Sequence, residues 1–540
     1  MTKKRIALLS VYDKTGIAEF AESLIEIGFT ILSSGGTAKV LTDSGLEVLD
    51  TADFTGLKAI LGHRVATLHP KIYAGLLALD NDEHKAELLK EGYEWIDLVC
   101  VDFYPLKEEI KKSTATPESV IEKTDIGGPT MIRASVKGKR ITICDPVDRP
   151  TVIQWLKDGE PSHDGMIEYL GSKAEFVISQ YCADSAIYHS KGKYQAIFGE
   201  KFMDLRYGEN PYQTPAAVYV MPTDFDDPLA LNRFKILAGN PSMVNMTDVD
   251  RGLQTITHIA AGFDVNFHEF PRIAVGLKHG NPCGAAYDDS RKKATEMMLT
   301  GNPISIFGGT VIVNFEIHKD VARMLVTDSG GGRRPLDILI ASGVDEESLE
   351  ILRRKNDRCL VMVNPALNLL TKESLDTVTR FRYVRGGFIL QPNYTYVVNL
   401  KNDSIKEFGY MDGASERECR DLVLAWAICN TSTSNTITIV KDRMLLANAV
   451  GQQDRVGAVE LALSIMKKAG HDPSEAVAVS DSFFPFPDAP QLLLDSGVAT
   501  ILTTSGSVND QATIDLFAGH TDGRTLLMIP DKEGRGFYAH

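Results

Sequence analysis

The chain has 540 residues, 44% of them hydrophobic and 24% charged, which fits a globular protein of roughly two to four domains with ample material for large cores. Its formal charge of −15 argues against a broad nucleic-acid or anionic-membrane footprint, while leaving room for a small anion held by local backbone, Arg or Lys. Seven dispersed cysteines without a Cys-x-x-Cys pair read as free thiols of a reducing, cytoplasmic compartment, and no apolar run has the length of a membrane span.

The opening basic and apolar stretch is too short for a signal peptide and reads as a first buried strand. RIALLSV (5 to 11) begins an alternation of strand and helix signals over residues 1–150. Residues 15 to 28 place Ile17, Phe20, Ala21, Leu24 and Ile25 on one helical face, closed by Gly28. TILSS (30 to 34) is a second strand and TAKVLTDSG a second helix ending at Gly45; DLVCVDFY (97 to 104) and RITICD (140 to 145) are further strands. This rhythm predicts an α/β domain with a parallel sheet covered on both faces, its ligands at the carboxyl ends of the strands.

Residues 151–200 are predicted as a helical connector. From 201 to 540 short strands alternate with loops rich in Gly, Pro and Asn, among them RYGENPYQ, KHGNPCGAA, SIFGGTVIVN, VGQQDR and SDSFFPFPDAP, the kind of loop that lines sites. Two loosely similar halves are expected there, with VGLKHGNPCGAA matched to AVAVSDSFFPFPDAP. The helix ERECRDLVLAWAICN (416 to 430) puts Leu422, Ala425, Trp426 and Cys429 at core spacing.

Three constellations could carry chemistry. SSGGT at 33 to 37 and DIGGPT at 125 to 130 each bring a glycine pair to a helix start, where backbone N–H groups can meet an anion. With Lys14, Arg64, Thr67 and Lys137 they suggest a phosphate pocket, though not a Walker loop. Lys278-His279 ends an apolar run, where a neutral imidazole can take a proton and an ammonium can stabilise an oxyanion. NPCG raises a zinc deaminase as a rival, but Cys283 is followed by Gly-Ala-Ala and no His-x-Glu precedes it, so three metal ligands cannot be assembled and no metal is expected.

These segments resemble, in order and along nearly the whole chain, the bifunctional AICAR transformylase/IMP cyclohydrolase family. The resemblance is carried by SVYDKTG, SSGGTAK, RVATLHPKIYAG, DIGGPTMIRAS, LRYGENPYQ, LKHGNPCGAA, FGGTVIVN, SNTITIV, GQQDR and SDSFFPFPD. It implies a methylglyoxal-synthase-like first domain that closes formyl-AICAR to IMP. It also implies a duplicated cytidine-deaminase-like region, without zinc, that transfers formyl from 10-formyltetrahydrofolate to AICAR in de novo purine biosynthesis. A homodimer with shared transformylase sites is implied as well, and a potassium ion near the C-terminus is left open.

Carried over by position, the resemblance makes Lys278, His279 and Asn435 the catalytic set of formyl transfer. Arg206, Tyr207, Asn245, Gly308, Asp337 and Arg535 would hold AICAR, and Ile304, Phe307, Arg455, Phe483, Pro485 and Asp488 would meet the folate. In the first domain Lys14, Ser34, Gly35, Gly36, Thr37, Arg64, Thr67 and Gly127 match the nucleotide pocket, and Tyr104, Asp125 and Lys137 its catalytic groups. Departures cluster there: Ala66 and Asp102 stand where the family usually has Lys and Asn, and Lys-Gly-Lys at 137 to 139 replaces Lys-Asn-His. Lys71 or Lys139 could replace the lost cation, and Tyr212 stands where the family usually has His. A transformylase whose first domain only binds nucleotide is the alternative reading.

Overall fold

The computed structural model describes residues 5–62, 64–222, 226–328, 330–354, 357–410, 413–518 and 523–538. The chain forms two compact units, Met1–Phe198 and Gly199–His540. Among the described residues no helix is long and apolar enough to cross a membrane, and all seven cysteines are free.

The first unit is built on strands β1 (Arg5–Ser10), β2 (Phe29–Ser33), β3 (Val48–Asp50), β4 (Leu98–Val101) and β5 (Ile141–Ile143), in the order β3-β2-β1-β4-β5. All neighbours are parallel. Alternate residues feed opposite faces: Ala7 and Leu9 enter one core, Ile6 and Leu8 the other. The strand order reverses between β1 and β4, which opens a crevice at their carboxyl ends. Helix Ile17–Ile27 buries Ile17, Phe20, Ala21 and Leu24 as its period predicts, but leaves Ile25 at the rim, 37% exposed. The helical segment read as a connector packs onto this unit: Trp155, Leu156 and Leu170 join one core cluster, Ala174 and Ile178 the other.

The second unit opens with a hairpin of β6 (Glu200–Leu205) and β7 (Ala216–Val220). Then come β8 (Lys235–Ala238), β9 (Arg272–Lys278), β10 (Asn281–Asp288), β11 (Thr310–Val313), β12 (Glu316–Ile317), β13 (Ile338–Ala341), β14 (Gly343–Val344) and β15 (Leu360–Val363). A hairpin of β16 (Arg380–Val384) and β17 (Gly387–Gln391) follows, then β18 (Lys406–Gly409), β19 (Ile437–Lys441), β20 (Met444–Ala449), β21 (Val477–Ser480), β22 (Thr500–Ser505) and β23 (Thr525–Pro530). Twelve of these form one sheet, in the order β18-β23-β22-β21-β19-β20-β10-β9-β11-β13-β15-β8.

That order reads the same from both ends. Outward from the antiparallel β10–β20 contact, each half runs antiparallel hairpin, antiparallel pair, two parallel pairs and an antiparallel edge strand. The halves therefore differ from the sequence pairing. The counterpart of VGLKHGNPCGAA is the hairpin of β19 and β20, not the segment after β21. One face of the sheet is covered by helices Met243–Phe267 and Glu416–Asn430, side by side in a shared core. They approach so closely that a Cβ on Gly262 would lie 2.6 Å from Val423 Cγ1. The opposite face carries a separate core for each half.

Candidate active sites

In the first unit the carboxyl ends of β1, β2 and β4 and two helix starts supply the candidate residues. Helix Gly35–Asp43 follows β2 directly, and its Ser34 cap makes no side-chain bond, so the first amides stay available to an anion. Thr37 spends its hydroxyl on β1, bonding Val11 N and Val11 O at 3.1 Å each. Lys14 lies beside this start, its Cε 3.8 Å from a Cβ built on Gly36. Its ammonium donates to Val11 O and, at 3.2 Å, to Tyr12 O, and burial lowers its pKa. Helix Gly127–Lys137 brings the second start: the Gly128 amide donates to Asp125 Oδ1 at 3.1 Å, and a Cβ on Gly127 would lie 3.1 Å from Thr67 Oγ1. Burial raises the Asp125 pKa.

Tyr104 stands beside Tyr12 and within the field of Asp125. Its ring meets Tyr12 edge-on with centroids 5.7 Å apart. Burial first, then the charge of Asp125, raises its pKa, so at neutral pH it is a phenol that can donate. Asp102 takes the Tyr12 amide on one oxygen, and Arg149 stands 3.8 Å from the other. Arg149 is buried and also bonds Thr15 O at 2.8 Å. The extra carboxylate thus comes with a buried counter-cation that sequence reading missed, yet burial still raises its pKa.

Three expected lysines lie elsewhere. Lys137 ends the helix that Gly127 begins, about 15 Å further along its axis and beyond lysine's reach. The structure does not bring it to Asp125. Lys71 turns to Phe54, 4.4 Å above the ring, and Lys139 is exposed after the same helix as Lys137. Arg64 pairs with Glu122. The cation found near Tyr104 is Lys123, with Nζ 5.9 Å from its ring and 5.7 Å from that of Tyr12. It lies two positions before Asp125, the first residue of DIGGPT, and no periodicity marks it.

In the second unit the register gathers the candidates on one edge of the sheet. Lys278 ends β9, and His279 and Gly280 form the two-residue turn into β10, with φ of 52° and 72°. Lys278 Nζ donates to Phe307 O at 2.6 Å, tying it to the loop that carries Ile304, Phe307 and Gly308 into β11. Gly308, φ 71°, lies next to Asp337 at the start of β13, which Arg354 holds at 2.5 Å. Arg206 Nη2 reaches Asn245 Oδ1 at 3.4 Å, and Tyr207 O takes the Met243 amide at 3.0 Å, so both sit at the start of helix Met243–Phe267. Asp248, on the same helix, accepts the Gly280 amide and Thr310 Oγ1 at 3.3 Å, and His279 lies close enough to lower its pKa against the burial that raises it.

The other half brings Asn435 to the same edge, at the start of β19. Asn281 Oδ1 accepts the Thr433 amide at 3.1 Å and Asn281 Nδ2 donates to His279 O at 3.2 Å, which links the His279 turn to the Asn435 segment. Arg251 strengthens that link from below, donating to Gly280 O and Thr431 O at 3.0 Å each. Asn435 exchanges backbone bonds with Gln452, 3.3 and 3.1 Å.

Arg455, expected to meet folate, is buried and pairs with the fully buried Asp481, which also accepts Ser434 Oγ and, at 3.1 Å, the Thr436 amide. Its visible part is to hold the Asn435 segment. Phe483 lies 5.5 Å below the Arg535 guanidinium, itself 2.6 Å from Asp531. Pro485 and Asp488 are exposed at the end of β21, and Ile304 and Phe307 are 73% and 52% exposed. Such apolar rims suit a flat ring. Tyr212 is 82% exposed.

Two helix starts at a strand-end crevice in one unit, and an imidazole, an ammonium and an amide on one sheet edge of the other, fit an α/β enzyme with two sites. Comparison with known proteins gives the particular family. The family model described as AICARFT/IMPCHase bienzyme matches residues 139–465, and the MGS-like domain model matches residues 16–130. The chain is 36% identical to the bifunctional purine biosynthesis protein PurH of Caldicellulosiruptor bescii, over 94% of this chain and 96% of that protein. It is 34% identical to the protein of the same name from Bacillus cereus strain 03BB102, over 95% and 96%. A solved structure titled "Crystal structure of ForH" is 31% identical, covering 35% of this chain and all of that one with a TM-score of 0.33. The chain belongs to the AICARFT/IMPCHase bienzyme family and is a bifunctional enzyme, an AICAR transformylase and IMP cyclohydrolase.

Proposed function

We propose that formyl transfer runs on the sheet edge that carries Lys278, His279 and Asn435, with 10-formyltetrahydrofolate as donor. The observation that carries this reading is the bond of Asn281 to the Thr433 amide at 3.1 Å, which joins the His279 turn to the Asn435 segment. The AICAR amine attacks the formyl carbon, His279 takes its proton, and Lys278 and Asn435 stabilise and orient the formyl oxygen as the folate nitrogen leaves. An aromatic amine is a poor nucleophile, so a placed base is required. Arg206, Tyr207, Asn245, Gly308, Asp337 and Arg535 hold AICAR. Ile304, Phe307, Phe483, Pro485 and Asp488 take the folate, and Arg455 serves through Asp481.

Ring closure uses the first unit. The carboxamide nitrogen of formyl-AICAR attacks the formyl carbon, and water leaves as IMP forms. Lys14, Arg64, Thr67 and the amides of residues 34–37 and Gly127 hold the nucleotide, while Tyr104 and Asp125 handle protons. Lys123 supplies the cation that Ala66 cannot. An assay with AICAR and 10-formyltetrahydrofolate, resolving formyl-AICAR from IMP, tests both halves. IMP is expected; if neither product forms, the transformylase reading is wrong. Lys123→Ala should slow IMP formation from formyl-AICAR about 10²-fold, with Ala66→Lys restoring it. An unchanged rate in Lys123→Ala removes Lys123 from the mechanism.

The working form is a homodimer in the cytoplasm. The hairpin of β16 and β17 supports this, because its register puts Phe381, Tyr383, Phe388 and Leu390 on one face, between 38% and 77% exposed. Clustered apolar side chains of this size call for a covering partner. Analytical ultracentrifugation at micromolar concentration should give a dimer; a monomer there would count against it.

A further inference from the structure

The edge of the large sheet opposite His279 carries the same frame a second time. β10 leaves the catalytic turn at Asn281 and reaches the far edge at Tyr287 and Asp288. There the turn between β19 and β20 is Asp442–Arg443, and Asp421 of helix Glu416–Asn430 accepts both its amides, at 2.8 and 2.7 Å. Tyr287, Glu416, Arg417, Arg420, Asp442 and Arg443 line an open cavity of about 510 Å³.

Tyr287 is the group without an explanation. It is 5% exposed, its ring 4.4 Å from that of Phe263, yet its hydroxyl has no hydrogen-bond partner. A buried hydroxyl left unpaired costs about 1–3 kcal/mol, and a bound ligand would remove that cost.

The hydrogen bonds around it indicate which ligand. Arg420 is largely engaged, with four bonds, to Glu269 at 2.6 and 2.9 Å and to Glu416 at 3.0 and 3.3 Å. Arg443 gives one bond, to Asp288 at 2.5 Å, and Arg417 two, to Asp442 and Glu475 O at 3.3 Å each. A guanidinium carries five N–H donors. The two carboxylates of the cavity, Glu416 and Asp442, each already accept from an arginine, while Arg417, Arg443 and Tyr287 keep donors to spare, at the start of a 15-residue helix. Surplus donors on a strand, a helix and a turn fit the several acceptor oxygens of a tetrahedral oxyanion.

We propose that this cavity is a second ligand site, separate from the transformylase edge, which binds a phosphate group through Arg417, Arg443 and the Tyr287 hydroxyl. Crystals of the full chain soaked in tungstate, a tetrahedral oxyanion with strong anomalous scattering, test it. A peak between these three residues is expected. Arg443→Ala and Tyr287→Phe should each weaken it, Arg443→Ala by about tenfold or more in affinity. Both variants should keep wild-type transformylase activity, which shows that they fold. Displacement of tungstate by inorganic phosphate or by ribose 5-phosphate separates free phosphate from a phosphate ester as the occupant. No peak there in the wild type, or a peak unchanged in both variants, overturns the proposal.

Discussion

The two halves of the twelve-stranded sheet answer the same structural problem with different residues. Lys278-His279-Gly280-Asn281 and Lys441-Asp442-Arg443-Met444 occupy equivalent hairpin turns, closed by the pairs Asn281↔Lys278 and Lys441↔Met444. Their φ angles agree within 2°, at 52° and 72° against 50° and 70°. Each turn is held by the sixth residue of the preceding long helix, Asp248 in one half and Asp421 in the other. Each helix opens with a capping box, Ser242 with Asn245 and Ser415 with Glu418. The frame is thus common to both halves, and the turns differ in the side chains they carry. In the first half it carries an imidazole and its lysine reaches the Gly-rich loop; in the second the equivalent Lys441 faces Asp472 at 3.9 Å.

The sharpest way to break this comparison is to remove each turn side chain in parallel. His279→Ala should lower transformylase kcat by 10²–10⁴, as loss of a general base does, whereas Asp442→Ala should leave it within about twofold. Conversion of supplied formyl-AICAR to IMP should be unchanged in both. Equal losses in the two variants would mean that the turns matter only as structure.

A smaller effect separates the clamping aspartates. Burial pushes the Asp421 pKa up to about 6, against an ordinary 3.8. Its pKa is higher folded than unfolded, so the stability it contributes is full below about pH 4 and is lost as pH rises to about 6. The loss is on the order of 2–3 kcal/mol at most, since its two amide bonds favour the ionised form. Denaturant unfolding from pH 4 to 7 should show this fall, and Asp421→Asn should flatten it. An identical pH profile in the variant would show that Asp421 does not titrate in this range.

Much of the first unit can be read from sequence because its parallel strands are short continuous apolar runs. β3 escaped, as a three-residue edge strand with every residue half-buried. The helix 416–430 was legible to the residue, yet its face was not: every residue from Asp421 to Asn430 is buried, because the second long helix and the sheet enclose it. The duplication was visible only as a suspicion with the wrong partners, since the two hairpins share a backbone path and little beyond their lysines. Motif resemblance named Lys278, His279 and Asn435. The groups that hold them, Asp248, Arg251 and Asp481, act across long sequence separations, such as Arg251 on Thr431, and no local pattern announces such contacts. Lys123 and Arg149 went unread for the same reason.

The last expected effect is the smallest and bears on why the second turn keeps a side chain where the first has glycine. Arg443 sits at φ 70°, a left-handed conformation that costs a residue with a Cβ about 1–2 kcal/mol, while Gly280 at φ 72° has no such penalty. Its partly exposed pair with Asp288 returns only about 0–1 kcal/mol. If stability alone decided the residue, glycine would be the better choice, so Arg443→Gly should raise unfolding free energy by up to about 1 kcal/mol at pH 7, measured by denaturant titration. A loss of more than 1 kcal/mol would show that Arg443 is needed to hold the turn. A gain would leave the arginine's presence to be explained by what its guanidinium binds.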